Sequence, residues 1–244
     1  MAERLEAQRR TPLNRDRVMR AAVALADESG IESVSMRNLA EELDVVPMAL
    51  YKHVSNKEDL LGGMVDVVVA TYDPPDTGSN WKSAVRSRIL SARRTLLEHP
   101  WARRVIESRR QRTPAVLAYM DSLSGMFMAA GFSPDLTHHA MHTLGYRIWG
   151  FSPEAFEDPN AFPMPEDPSE LETTLRQIGE VYPHIVAIAM DAADGDASAV
   201  GQSCDEQYEF EFALDLLLDA FEQLHDENWT STNQGHTPPI GKAD

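Results

Sequence analysis

The stretch Ser35–Lys57, SMRNLAEELDVVPMALYKHVSNK, decides the fold of this 244-residue chain. Apolar residues recur at helical spacing after Ser35, a residue suited to cap a helix, and Asp44 interrupts the pattern. Pro47 stands where it can open a second short helix that ends near His53. The pattern predicts a helix-turn-helix. Its helices share a small apolar seam formed by Leu39, Ala40, Leu43, Val45, Leu50 and Val54.

The second helix of this motif leaves several side chains outside the seam. They are Pro47, Met48, Tyr51, Lys52 and His53. A protruding helix of this size fits the major groove of DNA. Two short helices joined by a turn also occur in many all-α proteins, so the spacing alone leaves a DNA-binding role open.

Bulk composition predicts a folded globular protein. The hydrophobic share is 43%, and no apolar run approaches the length of about 20 residues needed to span a bilayer. The first ten residues, MAERLEAQRR, are too polar for a signal peptide, so we expect a cytoplasmic protein without membrane attachment. Its single cysteine, Cys204, has no partner for an intramolecular disulfide, and we assign it no chemistry.

The charge is unevenly distributed along the chain. The net charge is −17, which is unusual for a protein that contacts phosphates. Six arginines nevertheless lie within the first 20 residues, whereas acidic residues greatly outnumber basic ones beyond Asp158. An acidic body directed away from DNA would lower non-specific affinity, although surplus acid can equally serve solubility.

The N-terminal part of the chain is predicted to form one helical domain over residues 14–72, after a mobile basic arm at 1–13. Asn14 can cap a first helix that ends at Gly30, and Ser55 or Asn56 can cap a helix that runs to about Tyr72. In that last helix Gly62 and Gly63 each cost about 1 kcal/mol relative to alanine. These glycines are either incidental or a point of flexibility.

Residues 73–80, DPPDTGSN, form a predicted domain boundary, and a second all-α domain follows over residues 81–225. Helices are predicted to begin near Trp81, Trp101, Pro114 and Ser133. Residues 150–169 contain five prolines and are predicted to be a long loop. Helix resumes at 169 with a perturbation at Pro183, and residues 226–244 are predicted to be a disordered tail.

The final predicted helix, at about 205–224, is apolar on more than one face. Its large apolar residues are Phe210, Phe212, Leu214, Leu216, Leu217, Leu218 and Phe221. A helix that is apolar nearly all round is either central in the protein or lies at an oligomer interface. We favour the interface, because a helix-turn-helix reads only a few base pairs and two copies are needed for a palindromic site.

The segment LAEELDVVPMALYKHVSNKEDLL, preceded by AAVALADESGIESVSMR, closely resembles the N-terminal domain of the tetracycline-repressor (TetR) family of transcription regulators. The resemblance covers roughly residues 14–70. A weaker similarity to the C-terminal domain of tetracycline repressors runs from Trp81 through LLEHP to Gly131 and Phe132. The resemblance implies a homodimer that binds double-stranded operator DNA, with dimerisation through C-terminal helices including 205–224.

The family pattern assigns DNA-binding roles position by position. Base edges and thymine methyl groups would be contacted from the start of the second helix, and guanine O6 or N7 by Lys52. Phosphate contacts would come from the remaining polar positions. The resulting set is Ser35, Arg37, Val46, Pro47, Met48, Ala49, Tyr51, Lys52, His53 and Lys57.

The resemblance also implies a small-molecule effector that binds the body and releases DNA. Large side chains that can line its pocket are Trp101, Met120, Phe127, Met141, Tyr146, Trp149 and Phe151, although such residues are often simply core. The metal-binding histidine of tetracycline repressors falls at Ile106, which argues against a metal-tetracycline effector. His138 and His142 have metal-chelating spacing, but solvated or core histidines are the better interpretation, and we predict no metal or cofactor.

Catalytic motifs are absent from the sequence. None of G-x-G-x-x-G, G-x-S-x-G or H-E-x-x-H occurs, so we expect no enzymatic activity. The alternative is a helical protein-interaction domain without specific DNA binding, which would not explain the arginine-rich arm and the reading helix together. The sequence therefore predicts a ligand-responsive DNA-binding regulator, with repression as the expected mode.

Overall fold

The structure is a computed structural model that describes residues 12–76, 78–109, 111–150, 165, 167–194, 196 and 205–234. Every regular element among them is helical, as the sequence predicts. In chain order the α-helices are α1 Arg15–Ser29, α2 Met36–Glu42, α3 Pro47–Leu50, α4 Lys57–Val69, α5 Trp81–Glu98, α6 Pro100–Ser108, α7 Pro114–Ala129, α8 Pro134–Gly150, α9 Pro168–Val181, α10 Pro183–Ala192 and α11 Glu206–Asp226. The predicted basic arm and most of the predicted loop at 150–169 lie outside the described residues.

Local capping explains where the first helices begin. Asn14, Ser35 and Asn56 each precede a helix, and their side-chain oxygens accept the backbone N–H of the residue three positions later. Such caps satisfy N–H groups that the first helical turn cannot pair. At the other end of α1, Gly30 has φ +79°, a left-handed backbone that glycine adopts without strain. These caps confirm the positions predicted from the sequence.

The turn between α2 and α3 brings the two helices of the motif together. Asp44 has φ +56°, and the backbone N–H of Val45 donates to the carbonyl of Ala40 at 2.9 Å. Leu39, Leu50 and Val54 are fully buried, as the seam predicts. The fold of the helix-turn-helix is therefore confirmed.

Helix α3 is shorter than predicted. It ends at Leu50 rather than near His53, because the chain then tightens into a turn in which the N–H groups of His53 and Val54 both donate to the Leu50 carbonyl. The segment between α3 and α4 is then held by Arg15, whose guanidinium donates to the carbonyl of His53 at 2.6 Å.

Helix α4 packs closely on α1 at Gly63. A Cβ atom built on Gly63 would overlap the side chain of Met19, a buried residue of α1. A Cβ atom on Gly62 would lie 3.0 Å from a guanidinium nitrogen of Arg109. A side chain at position 63 would have to displace Met19, so the packing of α4 on α1 favours glycine there.

Helices α5, α7 and α11 contribute rings to an aromatic cluster in the body. Phe127 is fully buried, and its ring lies 5.6 Å from that of Trp81, 5.2 Å from Phe132 and 6.2 Å from Phe221. At the start of α5, the ammonium of Lys82 pairs with Asp219 and with Glu222 of α11. These contacts attach the C-terminal half of α11 to the body.

The chain divides into two compact units, one formed by residues 1–149 and 218–244 and the other by 150–217. The first contains the helix-turn-helix, α4 to α7 and most of α8. In the second, Leu171 and Leu175 of α9 pack with Ala193. Helix α10 begins at Pro183, where a perturbation was predicted.

The predicted disordered tail is partly described. Residues 226–234 include a short 3-10 helix, Ser231–Gln234, and the backbone N–H of Ser231 donates to Asp135 of α8 at 2.7 Å. The rings of Trp229 and His139 meet edge to face at 5.3 Å. Residues 235–244 lie outside the described residues.

The packing at Gly63 gives a test of the fold. In Gly63→Ala, overpacking against Met19 should cost about 1–3 kcal/mol, more than the gain of up to about 1 kcal/mol in helix propensity. We expect a lower free energy of unfolding in urea. In the control Gly125→Ala, on α7, a new Cβ meets nothing within 4 Å, so that variant should be more stable than the wild type. A stabilised Gly63→Ala would contradict the packing.

Candidate functional site

The start of α3 presents an apolar surface to solvent. Val46 is 67% exposed, Met48 is 71% exposed and Tyr51 is 49% exposed. Pro47 is also exposed and Ala49 is half-buried, whereas Leu50 between them is fully buried. The structure therefore brings the predicted base-contacting residues together on one protruding surface, where they could contact thymine methyl groups.

Three charged residues predicted to contact DNA are exposed. Arg37 and Lys57 were predicted to contact phosphates and Lys52 to contact guanine, and Lys57 is the first residue of α4. The hydroxyl oxygen of Ser35 accepts the N–H of Asn38 at 3.1 Å, which leaves its proton available for donation. His53 is half-buried. The set can supply positive charge and hydrogen-bond donors on both sides of α3.

Asp59 attaches the reading helix to α4. Its carboxylate accepts the backbone N–H of Ser55 at 2.8 Å and the Ser55 hydroxyl at 2.7 Å, and it pairs with Arg15 at 2.5 Å. Arg15 also donates to the carbonyl of His53. One carboxylate thus connects α1, the end of the reading segment and the first turn of α4.

The same contacts lower the pKa of Asp59 below its usual range. The Arg15 guanidinium is the largest cause, followed by the N–H of Ser55. A lowered pKa means that the folded protein favours the charged carboxylate. The Asp59 contacts therefore stabilise the fold at neutral pH and are lost in acid.

Contacts with α6 connect the first helix to the body. The carboxylate of Asp27, near the end of α1, accepts the indole N–H of Trp101 at 2.6 Å and lies 2.8 Å from Nδ1 of His99. Trp101 is buried here. Trp101, which was predicted to line an effector pocket, thus contacts α1 of the N-terminal helical domain directly.

Helix α4 makes a second connection to the body. Arg109, which follows α6, donates to the carbonyl of Glu58 at 2.9 Å. The carboxylate of Asp66 accepts the backbone N–H of Ala115, in the first turn of α7, at 3.1 Å. A movement of α6 or α7 would therefore act on α4.

The structure describes the side chains of three other predicted effector residues. Phe127 belongs to the aromatic cluster, Met120 is exposed on α7 and Met141 is half-buried on α8. The side chains of Tyr146 and Trp149, and all of Phe151, lie outside the described residues. Ile106 is buried, and His138 contacts His142 edge to face at 4.6 Å. Within the described part of the chain, no three His, Cys, Asp or Glu residues could together hold a metal ion.

The sequence did not indicate a buried polar cluster in the body. Tyr72, just after α4, and Tyr119 of α7 meet edge to face with ring centroids 5.2 Å apart. Cζ of Arg88, on α5, lies 4.9 Å from the centroid of the Tyr119 ring. Arg88 lies three residues after the buried Val85 and directly before the buried Ile89, and a charge at that position was the available signal.

Asp59 provides a test of the reading domain's anchorage. Asp59→Asn should lower the free energy of unfolding at pH 7 by about 1 kcal/mol, since the Arg15 pair is partly screened by solvent. The difference from wild type should shrink below about pH 4, where the unfolded carboxyl group takes up protons, and disappear as Asp59 itself is protonated. Urea unfolding at pH 7, 5 and 3 measures this.

The control for Asp59 is Asp16→Asn, which removes an exposed carboxylate paired with Arg20 on α1. This exposed pair should contribute little. An Asp59→Asn difference that is as large at pH 3 as at pH 7 would contradict the proposed anchorage.

Comparison with known families gives two matches along this chain. Residues 18–64 match "Bacterial regulatory proteins, tetR family", and residues 74–224 match "Tetracyclin repressor-like, C-terminal domain". The second match alone covers more than half of the chain. Within the described residues, no helix is both long enough and apolar enough to cross a membrane.

Relatives and solved structures agree with these matches. An HTH-type transcriptional regulator of Saccharopolyspora erythraea is 36% identical over 132 residues, which are 53% of this chain and 56% of the relative. The tetracycline repressor class G of Vibrio anguillarum is 26% identical over 88% of this chain and 96% of its own. The chain spans about half the length of the first curated relatives it matches.

Apo ActR of Streptomyces coelicolor has the same fold. It superimposes with a TM-score of 0.71 at 23% identity, over 90% of this chain and 99% of its own. Both halves of the chain thus match one family, in sequence and in fold. The chain belongs to the tetR family of bacterial regulatory proteins.

Proposed function

We propose that this protein is a ligand-responsive transcriptional repressor that binds a palindromic operator as a homodimer and is released by a small-molecule effector. It acts through binding rather than catalysis. The observation that carries the proposal is the exposed surface of Val46, Met48 and Tyr51 on a helix fixed by Arg15 and Asp59. Apolar side chains exposed on a rigid element are typical of a surface used for recognition.

DNA recognition would combine apolar base contacts with charged phosphate contacts. Val46, Pro47, Met48 and Ala49 offer no charge, so sequence readout would depend on thymine methyl groups and DNA shape, with Lys52 adding a guanine contact. Ser35, Arg37, Tyr51, His53 and Lys57 would position the protein on the backbone. The net charge of −17 makes such local cations necessary for binding.

Dimerisation is proposed through the C-terminal helices, including 205–224. On α11, Phe210, Leu214 and Leu218 are buried, whereas Tyr208 is 62% exposed, Phe212 52% and Leu216 54%. The exposed residues recur every four positions and form one stripe. Helix α7 carries a second exposed apolar stripe at Leu117, Met120 and Met128. A second copy of the chain would remove these surfaces from water.

Effector binding would reach the DNA through the contacts between body and reading domain. The carboxylate of Asp27 on α1 accepts the indole N–H of Trp101 on α6. The carboxylate of Asp66 on α4 accepts the backbone N–H of Ala115 at the start of α7. A ligand that favours one arrangement of α6 and α7 would favour one position of α4. Its differential affinity for the two states sets the size of the response.

Selection from random duplex DNA tests the whole proposal. The purified full-length protein should enrich a palindrome whose half-sites lie about one helical turn or slightly more apart. Failure of the folded, ligand-free protein to enrich any sequence would contradict operator binding. That result would favour a helical protein-interaction domain instead.

Two substitutions test the DNA contacts on the selected site. Tyr51→Ala and Lys57→Ala should both weaken binding, and Lys57→Ala should also reduce the slope of log K against log salt by about one unit, as expected for a lost phosphate contact. Arg176→Ala, which removes an exposed cation of α9, is the charge-matched control and should leave both quantities unchanged. Unchanged affinity in both test variants would exclude this docking.

The apolar stripe of α11 gives a test of the dimer. Phe212→Glu should dissociate the dimer, because a charge replaces an apolar ring in the proposed interface. Phe212→Tyr keeps the ring and should remain dimeric. Sedimentation equilibrium, with far-UV circular dichroism to verify folding, distinguishes the two. A folded Phe212→Glu dimer would place the interface elsewhere.

A further inference from the structure

The cluster of Tyr72, Arg88 and Tyr119 contains polar atoms that the fold leaves unused. Tyr72 is 6% exposed, and within the described part of the chain its hydroxyl has no hydrogen-bond partner. The Nε of Arg88 is buried and lacks a partner among the same residues. A buried polar group left unpaired destabilises the fold. Phenylalanine and leucine at these positions would fill the same interior without that cost.

The charge of Arg88 is only partly compensated. Its guanidinium donates to the backbone carbonyl of Asp73 and interacts electrostatically with the Asp73 carboxylate. That carboxylate makes its ion pair with Arg94 instead, at 2.7 Å. A partly buried cation beside aromatic rings, without an ion pair of its own among the described residues, attracts an anion.

The two tyrosines remain neutral next to this cation. Burial is the largest cause that raises the pKa of Tyr72 and the pKa of Tyr119, and both stay protonated at neutral pH. A protonated phenol donates a hydrogen bond, and its ring offers a flat apolar face. The cluster therefore combines a positive charge, a free donor and two aromatic rings.

We propose that this cluster is a binding site for a planar aromatic anion, whose carboxylate or phenolate oxygen accepts hydrogen bonds from Arg88 Nε and the Tyr72 hydroxyl. The aromatic part of the ligand packs against the tyrosine rings. The proposal rests on the proposed function, because it assigns a chemical class to the effector. Tyr72 lies three residues beyond Val69, the last residue of α4, so a ligand held here would bind close to the end of the helix that carries Asp59 and Asp66.

Calorimetric titration of the full-length protein tests the proposed class. The probes are benzoate, 2-naphthoate and anthracene-2-carboxylate, each compared with its neutral amide, and 2,4-dinitrophenolate distinguishes a phenolate from a carboxylate. At least one of these anions should bind, and a carboxylate that does so should bind on the order of tenfold more tightly than its amide, because charge-assisted hydrogen bonds are the strong ones. No binding by any anion, or equal affinity for anion and amide, would overturn the proposal.

Variants locate the binding. Tyr72→Phe removes one oxygen and Arg88→Met removes the charge, and each should reduce affinity for the bound anion on the order of tenfold. Arg176→Met is the control, with affinity expected to be unchanged. Tyr72→Phe removes an unpaired polar atom, so we expect this variant to fold. It can therefore locate the anion even if Arg88→Met does not fold. If an anion bound Tyr72→Phe and Arg88→Met as tightly as the wild type, its binding site would lie outside the cluster. That result would also overturn the assignment.

The outcome is separable from operator binding. A protein that enriches a palindrome but binds none of the anions remains a DNA-binding regulator and loses this effector class. A protein that binds an anion through Tyr72 and Arg88 but enriches no DNA keeps the small-molecule site and loses the repressor function.

Discussion

The carboxylate of Asp59 is the constraint on which the reading surface depends. Helix α3 has four residues, and a helix of that length has no stability of its own in water. Its position is set at one end by the turn at Asp44 and at the other by Arg15 and Ser55, both bound to Asp59. Exposed apolar side chains can serve recognition only if such contacts from outside the helix fix them.

Helix α4 extends this constraint into the body. The first turn of α4 contains Asp59, and Gly63 in its middle packs against Met19 of α1. Further along, the carboxylate of Asp66 accepts the backbone N–H of Ala115 in the first turn of α7. The segment after α3, helix α1 and helix α7 thus contact one helix at different levels. Because interiors are closely packed, a displacement of α7 cannot be absorbed locally and must move α4 or break its contacts with α1.

Local signals in the sequence predicted most of the fold. Asn14, Ser35, Asn56 and Pro114 marked helix starts because capping and proline geometry involve only a few neighbouring residues. The features that were mispredicted or missed depend on distant contacts. Arg15 acts on a carbonyl 38 residues away, and Tyr72, Arg88 and Tyr119 converge from three elements. Of the candidate site, the reading surface was predictable, whereas the buried cluster was not.

Exposed apolar surface and buried polar surface are opposite departures from a minimum-energy fold, and this chain has both. The start of α3 and the Phe212 stripe of α11 leave apolar groups in water, while Tyr72 and Arg88 bury donors without partners. Each departure costs free energy in the isolated chain, and each is relieved by a different class of molecule. Duplex DNA would cover the start of α3, and a second copy of the chain would cover the Phe212 stripe. A small anion would pair with Tyr72 and Arg88. Each such site gains free energy on binding, because exposed apolar groups leave water and buried donors find acceptors.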